Sequence, residues 1–446
     1  VADTAKKLGL ECLRDKAGNV IVRKPASAGF EGKASICLQG HLDMVPEKRP
    51  DKKHDFLKDP ITLVRKGNTM MADGTTLGAD NGVAVATNLA IMADKNLKHG
   101  PLEFLFTIDE ETGLTGANNL EPGLLQSKTL LNLDSEEEGA LYVGCSGGRD
   151  TTGTWALELE PAPAGMSGLE LKVGGLRGGH SGLEIDKGRG NAIKIVNRVI
   201  MALGAVGVRL ARVDAGNKRN AIPRDAVALV YVPKKKLDEA KAIVAALNAT
   251  IKAELASVEP SLAITTATAK GRVKVMKKRL QKKLTMTISA MPHGVLKMSA
   301  DIPGLVETST NLAVINVTKK EIVIQTSQRS SVASEIDEAA TMVRHVFELG
   351  GATAGGSGGY PGWKPNLDSP ILKTAIATYK QLYGKEPEVK AVHAGLECGI
   401  IGEKYPGMDM VSLGPTLEGV HSPDEKIYID TVEKYWDYVL AILKNA

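Results

Sequence analysis

Three short apolar stretches, each followed directly by acidic or imidazole side chains, decide the fold class of this chain. Residues 35–43 read SICLQGHLD, residues 102–111 read LEFLFTIDEE, and residues 130–134 read LLNLD. We predict buried strands over residues 35–39, 102–107 and 130–133, and residues 82–93 (GVAVATNLAIMA) predict a helix that lies on the same sheet. Strands that alternate with helices predict a layered α/β domain, in which functional side chains gather at the carboxyl ends of the strands.

The character of the sequence changes twice along the chain. Between about Thr151 and Thr353, alternating apolar segments are separated by lysine-rich helical stretches, which is typical of a separate α+β domain. A glycine-rich stretch, GGSGGYPG at 355–362, follows, and we interpret it as a hinge because it lacks the GK[ST] ending of a phosphate loop. We therefore expect a catalytic domain formed by residues 1–150 and 355–446, interrupted by a smaller domain of residues 151–354.

Composition and charge exclude several classes of protein. The chain has 446 residues, of which 43% are hydrophobic and 24% charged, as in an ordinary globular protein. Its apolar runs are shorter than the roughly 20 residues that cross a bilayer, so we expect no membrane partner. Basic and acidic residues number 56 and 52, and aromatic residues make up only 4%, which argues against a nucleic-acid partner. The basic run at 272–283 predicts a solvated helix face.

The cysteines and the first residues bear on the location of the protein. The four cysteines are far apart and form no CxxC pair, which argues against a disulfide framework and favours the cytoplasm. No signal peptide is visible at Val1, and the start within an apparent helix suggests that further residues precede it.

The polar residues at the predicted strand ends are those that bind zinc in catalytic sites. Two imidazoles with several carboxylates suit Zn²⁺, and Mn²⁺ or Co²⁺ would also accept these donors. One carboxylate can bridge two ions about 3.5–4 Å apart, and Asp80 is the natural bridge. Asp43 lies two residues after His41 and shares its face of the strand, so it can orient the ligand imidazole. Glu110 and Glu111 point in alternate directions, so that one can bind metal while the other acts as a base.

Five strings resemble, in order, the signatures of the dinuclear-zinc aminopeptidase and carboxypeptidase superfamily: HLD at 41–43, GADNG at 78–82, EETG at 110–113, NLDSE at 132–136 and HSPDE at 421–425. Longer strings, among them GGHSGLEI, NAIPRD and HAGLECG, resemble one branch, the aminoacyl-histidine dipeptidases, from about Gly9 to Trp436. The resemblance implies a three-layer zinc-peptidase domain with a mixed sheet, interrupted by an α+β lid domain that mediates dimerisation.

The resemblance also implies a role for each site residue. Two Zn²⁺ ions per subunit would be held by five ligands, with Asp80 as the bridge: His41, Asp80, Glu111, Asp134 and His421. Glu110 would be the general base, and Asp43, as the partner of the His41 imidazole, is predicted as a catalytic residue with it. His180 in the inserted domain would reach the active site of the partner subunit, while Asn220 and Arg329 would bind the substrate's polar groups and terminal carboxylate.

The expected protein is thus a cytoplasmic, homodimeric dipeptidase that hydrolyses Xaa-His and other unblocked dipeptides. An N-acyl amino acid deacylase of the same superfamily is an alternative. A peptide-binding dimer without turnover is another, although the intact Glu110 and the complete ligand set argue against it. His393 and Glu397, in HAGLECG, are open to a structural role in a loop or to substrate contact.

Overall fold

The computed structural model describes residues 1–269, 271 and 274–446. Contacts between residues divide the chain into two compact units. The first unit comprises Val1–Cys145, Trp363–Val392 and Leu396–Ala446, and the second comprises Ser146–Gly362 and His393–Gly395. The chain thus leaves the first unit near residue 145 and returns near residue 363, against predicted boundaries at 150 and 355.

The helices and strands are numbered in chain order. The α-helices are α1 (Ala2–Lys7), α2 (Ala79–Ala93), α3 (Thr115–Asn119), α4 (Ala192–Ala202), α5 (Leu237–Glu254), α6 (Lys278–Ala290), α7 (Ala333–Leu349), α8 (Pro370–Tyr383), α9 (Glu397–Lys404) and α10 (Ile429–Asn445). The strands are β1 (Glu11–Arg14), β2 (Val20–Lys24), β3 (Ile36–His41), β4 (Leu63–Lys66), β5 (Thr69–Ala72), β6 (Leu102–Thr107), β7 (Thr129–Asn132), β8 (Ala140–Cys145), β9 (Gly147–Ala156), β10 (Leu159–Pro161), β11 (Met166–Gly174), β12 (Gly179–His180), β13 (Arg209–Ala215), β14 (Ala221–Ile222), β15 (Ala226–Pro233), β16 (Ala263–Ala269), β17 (Lys274–Met276), β18 (Gly294–Met298), β19 (Val306–Val317), β20 (Glu321–Ser330), β21 (Thr353–Tyr360), β22 (Glu388–Val392), β23 (Asp409–Ser412), β24 (Leu417–Glu418) and β25 (Lys426–Tyr428).

A mixed sheet forms the centre of the first unit, in the order β1-β2-β6-β3-β7-β23-β8-β22. Strand β3 pairs parallel with β6 and β7, whereas β2 pairs antiparallel with β6. Every residue of β3 and β6 is buried, as expected for strands covered on both faces. Helix α2 packs on β3 and α8 on β23, while α9 packs on β8. The predicted α/β fold with a mixed sheet is confirmed.

An antiparallel sheet forms the second unit, in the order β16-β11-β15-β13-β19-β20-β9-β21, with β18 beside β19. Helices α4 and α5 pack on β11 and β16, and α7 packs on β9. Part of the predicted basic face, Arg272 and Val273, lies outside the described residues. Lys274–Met276 form the short strand β17, so the prediction of a helix is wrong there. The run enters the amphipathic helix α6 only from Lys278, and this helix buries Leu280 and Leu284.

The prediction of a hinge at 355–362 is wrong for most of that stretch. Residues 353–360 form β21, which pairs with β9. The glycines allow β21 to approach the neighbouring strand closely, because a Cβ added at Gly359 would collide with the carbonyl oxygen of Gly148.

Within the described residues, none of the helices has the length and apolar character needed to span a membrane.

Candidate metal centre

Three neighbouring parallel strands deliver ligand-type side chains to one edge of the first unit's sheet. His41 is the last residue of β3, Glu110 and Glu111 follow β6, and Asp134 follows β7. Because β6, β3 and β7 are adjacent and parallel, their carboxyl ends meet at the same edge. Two further side chains come from elsewhere: Asp80 from the first turn of α2, and His421 from the loop between β24 and β25.

Asp80 lies between two imidazoles and presents one oxygen to each. Its Oδ1 lies 3.0 Å from Nε2 of His41, and its Oδ2 lies 3.1 Å from Nε2 of His421. An oxygen of Asp134 lies 3.4 Å from Nε2 of His41, and an oxygen of Glu111 lies 3.1 Å from Nε2 of His421. Asp80 thus belongs to two groups of ligand-type residues, one with His41 and Asp134 and one with Glu111 and His421. Within each group of three, the ligand atoms lie within 4.8 Å of one another. The structure thus brings together all five residues that the sequence predicts as metal ligands.

Glu110 lies next to these groups. One of its oxygens is within 4.8 Å of ligand atoms of both His41 and Glu111. Burial, and then the negative charge of Asp134, raise the pKa of Glu110 to about 9. Bound cations would favour the charged form and lower this pKa again.

The charges of this centre fit divalent cations. Two buried carboxylate oxygens, Glu111 Oε1 and Asp134 Oδ1, lie 3.1 and 3.4 Å from an imidazole nitrogen and accept no hydrogen bond from any other described residue. Burial opposes a charge on His41, yet the surrounding carboxylates, Asp134 first, raise its pKa far above the usual value. Hydrogen bonds to Asp80 and Glu111 likewise raise the pKa of His421 to about 10. The carboxylates raise the pKa values of both imidazoles, so this pocket favours positive charge. Its nitrogen and oxygen donors suit Zn²⁺.

Asp43 contacts both His41 and the two glutamates. Its backbone carbonyl oxygen lies 3.0 Å from Nδ1 of His41, so that Nδ1–H can donate there and leave Nε2 facing Asp80. Its carboxylate lies farther from the ring, at 3.5 Å, and accepts the backbone N–H groups of Glu110 and Glu111 at 3.0 and 3.1 Å. The Asp43 carboxylate therefore lies closer to the backbone of Glu110 and Glu111 than to the imidazole of His41, which the sequence predicts as its partner.

Sequence reasoning missed two residues that support these ligands. Asn81, which is buried, accepts the N–H of His41 at 3.3 Å and donates to the carbonyl of Leu133 at 2.9 Å. Asn81 therefore joins α2 to the ends of β3 and β7. Glu425 is buried beneath the start of α2. Both residues lie in strings that carry the family resemblance, but no spacing rule connects them to their partners.

Glu397, which the sequence leaves open, is completely buried in the first unit. Its Oε2 accepts hydrogen bonds from Gln39 and Thr107, both at 2.6 Å. Burial raises the pKa of Glu397 to about 7. Gln39 belongs to β3, which ends at His41, and Thr107 belongs to β6, which precedes Glu110. The carboxyl group of Glu397 therefore links these two strands.

His180, Asn220 and Arg329 all belong to the second unit. His180 lies on β12, which pairs with β14, and its Nδ1 accepts the N–H groups of Leu183 and Gly182 at 3.1 and 3.3 Å. Nδ1 is therefore unprotonated, and the ring proton of the neutral imidazole is on Nε2. Burial, and then the charge of Arg329, lower the pKa of His180 to about 4, so that it is neutral at pH 7. Asn220 is exposed in the loop before β14.

Arg329 is a buried cation on β20, with 7% of its surface exposed. Its Nη1 donates to the hydroxyl of Tyr360 at 2.8 Å, and its Nε has no hydrogen-bond partner among the described residues. Across residues 1–269, 271 and 274–446, no carboxylate lies within 4.0 Å of this guanidinium group. A buried charge without a counter-charge is costly, so the position favours an anionic ligand. His393 lies in the same unit and contacts Ser309 through Nε2 at 2.7 Å.

Comparison with known proteins gives consistent matches. A cytosol non-specific dipeptidase of Escherichia coli strain K12 is 42% identical over 442 residues, which cover 99% of this chain and 91% of that protein. The crystal structure of an aminoacylhistidine dipeptidase from Vibrio alginolyticus superposes with a TM-score of 0.91 at 42% identity, over 99% of this chain and 90% of that one. A Staphylococcus aureus tripeptidase, 17% identical, shares the fold at a TM-score of 0.60 over 99% and 90% of the two chains. Residues 37–445 match one family over nearly the whole chain, and the protein belongs to peptidase family M20/M25/M40.

Proposed function

We propose that this chain is a metal-dependent dipeptidase that hydrolyses unblocked dipeptides, Xaa-His dipeptides among them. The observation that carries the proposal is Asp80, which offers Oδ1 to His41 and Oδ2 to His421 and so belongs to both groups of ligand-type residues. The names of two relatives that are 42% identical, a non-specific dipeptidase and an aminoacylhistidine dipeptidase, support the substrate class.

The proposed cofactor is a pair of Zn²⁺ ions, for which Mn²⁺ or Co²⁺ can substitute in such a donor set. His41, Asp80 and Asp134 would hold one ion, and Asp80, Glu111 and His421 the other. When bound, such ions lower the pKa of water and polarise the scissile carbonyl group. Glu110 is the proposed general base, which takes a proton from the attacking water and delivers it to the leaving amine. The hydrogen bonds of Asp43 to the backbone of Glu110 and Glu111 orient that turn.

The second unit is the proposed lid and dimerisation domain. Its His180 is the proposed donor to the oxyanion of the partner subunit's site, a role that suits a neutral imidazole with its proton on Nε2. The guanidinium group of Arg329, which meets no carboxylate among the described residues, suits a terminal carboxylate, and this would restrict substrates to short peptides. Asn220 is the proposed ligand of the substrate's polar groups. We further propose that the protein is cytoplasmic, in line with the name of its E. coli relative, and that it is a homodimer, as the family resemblance implies.

A hydrolysis assay tests the proposed function. The purified protein is offered Xaa-His dipeptides, other unblocked dipeptides and N-acetyl amino acids, first with Zn²⁺ and then after chelation. We expect turnover of the dipeptides, loss of turnover on chelation, and recovery when Zn²⁺ is returned. Turnover of N-acetyl amino acids alone would instead indicate a deacylase. Binding of dipeptides without turnover under all metal conditions would indicate a peptide-binding protein.

A further inference from the structure

Glu425 makes an unusual set of hydrogen bonds at the start of α2. Its side chain is buried, with only 2% of its surface exposed. Each of its carboxylate oxygens accepts two backbone N–H groups: Oε2 from Leu77 at 2.7 Å and Gly78 at 3.0 Å, and Oε1 from Ala79 at 2.8 Å and Asp80 at 3.3 Å. Four consecutive N–H groups of the chain thus converge on one carboxylate.

These bonds supply a cap that the local sequence lacks. The first N–H groups of a helix have no partner within the helix, and a short polar side chain just before the helix usually accepts them. The residue before α2 is Gly78, which has no side chain and adopts a left-handed conformation with a φ of 71°. Glu425, 347 residues farther along the chain than Gly78, takes the place of the missing cap. A carboxylate suits this position, because both of its oxygens can accept N–H groups at the positive end of the helix dipole.

Glu425 also lies close in sequence to His421, another predicted metal ligand. His421 precedes Glu425 by four residues, and its φ of 59° is one that a residue with a side chain rarely adopts. Such a conformation persists only when its surroundings hold it. The buried end of this loop, at Glu425, is tied to the backbone of Asp80, whose carboxylate lies 3.1 Å from the imidazole of His421. One side chain therefore anchors both the loop of His421 and the turn of Asp80.

We propose that Glu425 is a positioning residue of the metal centre, which fixes Asp80 and His421 relative to each other before the ions bind. The inference rests on the proposed function, since it assigns a role toward the proposed ions. It differs from a purely structural cap in its consequence, because loss of the carboxylate would weaken metal binding beyond any general loss of stability. Residues that orient metal ligands typically contribute roughly 10- to 100-fold to metal affinity.

Glu103 provides a matched control in the same unit. It is also buried with 2% of its surface exposed, and its carboxylate accepts the N–H groups of Gln126 and Ser127 at 2.9 and 2.8 Å. Its other partner is Arg23, at 3.1 Å. Glu103 is thus, like Glu425, a buried carboxylate that accepts backbone N–H groups, but it also pairs with Arg23 and its partners lie outside the candidate metal centre.

The experiment compares Glu425→Gln with Glu103→Gln. Glutamine keeps the shape of the side chain but turns one acceptor oxygen into an NH₂ group, which cannot accept the two N–H groups that face it. Each protein is stripped of metal and titrated with Zn²⁺ against a competing chelator. The absorption spectrum of the Co²⁺ form and the melting temperature of the metal-free form are recorded alongside. We expect E425Q to bind Zn²⁺ roughly 10- to 100-fold more weakly, with an altered Co²⁺ spectrum, whereas E103Q binds as the wild type does.

Two results would overturn the inference: wild-type Zn²⁺ affinity in E425Q, or an equal loss of affinity in E103Q. If E425Q does not fold, Glu425→Asp decides, because it keeps the charge on a shorter side chain. Weaker Zn²⁺ binding by E425D at a wild-type melting temperature would then support the inference, and unchanged binding would overturn it. None of these measurements needs turnover, so a protein that bound two ions without hydrolysing dipeptides would overturn the proposed function and not this inference.

Discussion

Glu110 and Glu111 are adjacent in sequence but have different surroundings. Glu111 contacts His421 at 3.1 Å and belongs to the group that contains Asp80. Glu110 lies instead on the side of His41, and burial and the charge of Asp134 make its carboxyl group a strong proton acceptor. The two side chains thus have different neighbours, although an oxygen of each lies within 4.8 Å of the other and Asp43 holds both of their backbone N–H groups. This geometry favours Glu110 as a base and Glu111 as a metal ligand.

Replacing each glutamate by glutamine should therefore have a different effect. Glu110→Gln should cut turnover by roughly 10²-fold or more at near-normal metal content, because only the proton acceptor is lost. Glu111→Gln should weaken metal binding, because a ligand is lost. Dipeptide hydrolysis and metal content after dialysis measure the two effects. Equal loss of metal from both variants would contradict the division of roles.

His393 gives a second prediction at this scale, which concerns acid stability. Burial, and then the charge of Arg329, lower the pKa of His393 from 6.5 to about 3. Below pH 6.5 the unfolded chain takes up a proton that the folded protein refuses, so stability is complete above that pH and falls on acidification. This histidine alone should cost about 2 kcal/mol of unfolding free energy between pH 7 and pH 5, since one pKa unit corresponds to about 1.4 kcal/mol.

The measurement compares the unfolding free energy at pH 7 and pH 5 for the wild type, His393→Asn and His345→Asn. The His393 variant should lose less stability on acidification than the wild type. His345, an exposed residue of α7, serves as the control, and its variant should follow the wild type. The same acid loss in all three proteins would refute the assignment.

Among the secondary-structure elements, the contact between α2 and β3 controls the position of Asp80. Gly40 lies in β3 directly under α2, and a Cβ added there would lie 2.7 Å from the Cβ of Ala84 and would also collide with Asn81. The helix can approach the strand only because this position has no side chain. Its first turn, which carries Asp80 and Asn81, is thereby held against the end of β3.

Gly40→Ala should consequently displace α2 and weaken the metal centre. We expect a loss of about 1–3 kcal/mol in unfolding free energy, the usual cost of overpacking, together with weaker Zn²⁺ binding. Gly82→Ala is the matched control in the same helix, because an added Cβ meets nothing within 4 Å there. That variant should be neutral or slightly stabilised, by about 0.5–1 kcal/mol. Denaturant unfolding and Zn²⁺ titration test both variants, and wild-type behaviour of Gly40→Ala would contradict the argument.

For the whole molecule, the proposed function assigns residues of both units to one reaction. The ligand-type residues all belong to the first unit, while His180, Asn220 and Arg329 belong to the second. His180 is neutral with its proton on Nε2, and Arg329 is a buried cation without a carboxylate partner among the described residues. Both properties are consistent with the substrate-binding roles that we propose for these two residues.

Mixing two inactive variants tests the proposed sharing of sites between subunits. A heterodimer of His180→Ala and Glu110→Gln contains one site with both residues intact if His180 acts in the partner. After random subunit exchange, about half of the dimers are mixed and each has one working site, so we expect about a quarter of wild-type activity. No recovery despite verified exchange would contradict sharing between subunits.

The sequence by itself determined the local elements and the residue types at their ends. Apolar runs predict β3, β6 and β7 to within a residue or two, because burial on both faces of a parallel sheet demands such runs. Since parallel strands end at one edge, the sequence also predicts that His41, Glu111 and Asp134 meet there. The roles of these residues and the domain boundaries stay predictions.

Only the tertiary structure decided which polar groups, distant in sequence, form hydrogen bonds with one another. Glu425 caps a helix that begins 346 residues before it, and Glu397 joins two strands from 358 and 290 residues away. The glycine-rich stretch at 355–362 became mostly an edge strand because β9 lies beside it. The tautomer of His180 depends on the N–H groups of its own turn. Periodicity reports burial along one element, whereas hydrogen-bond partners are set by how the elements pack, which no local pattern records.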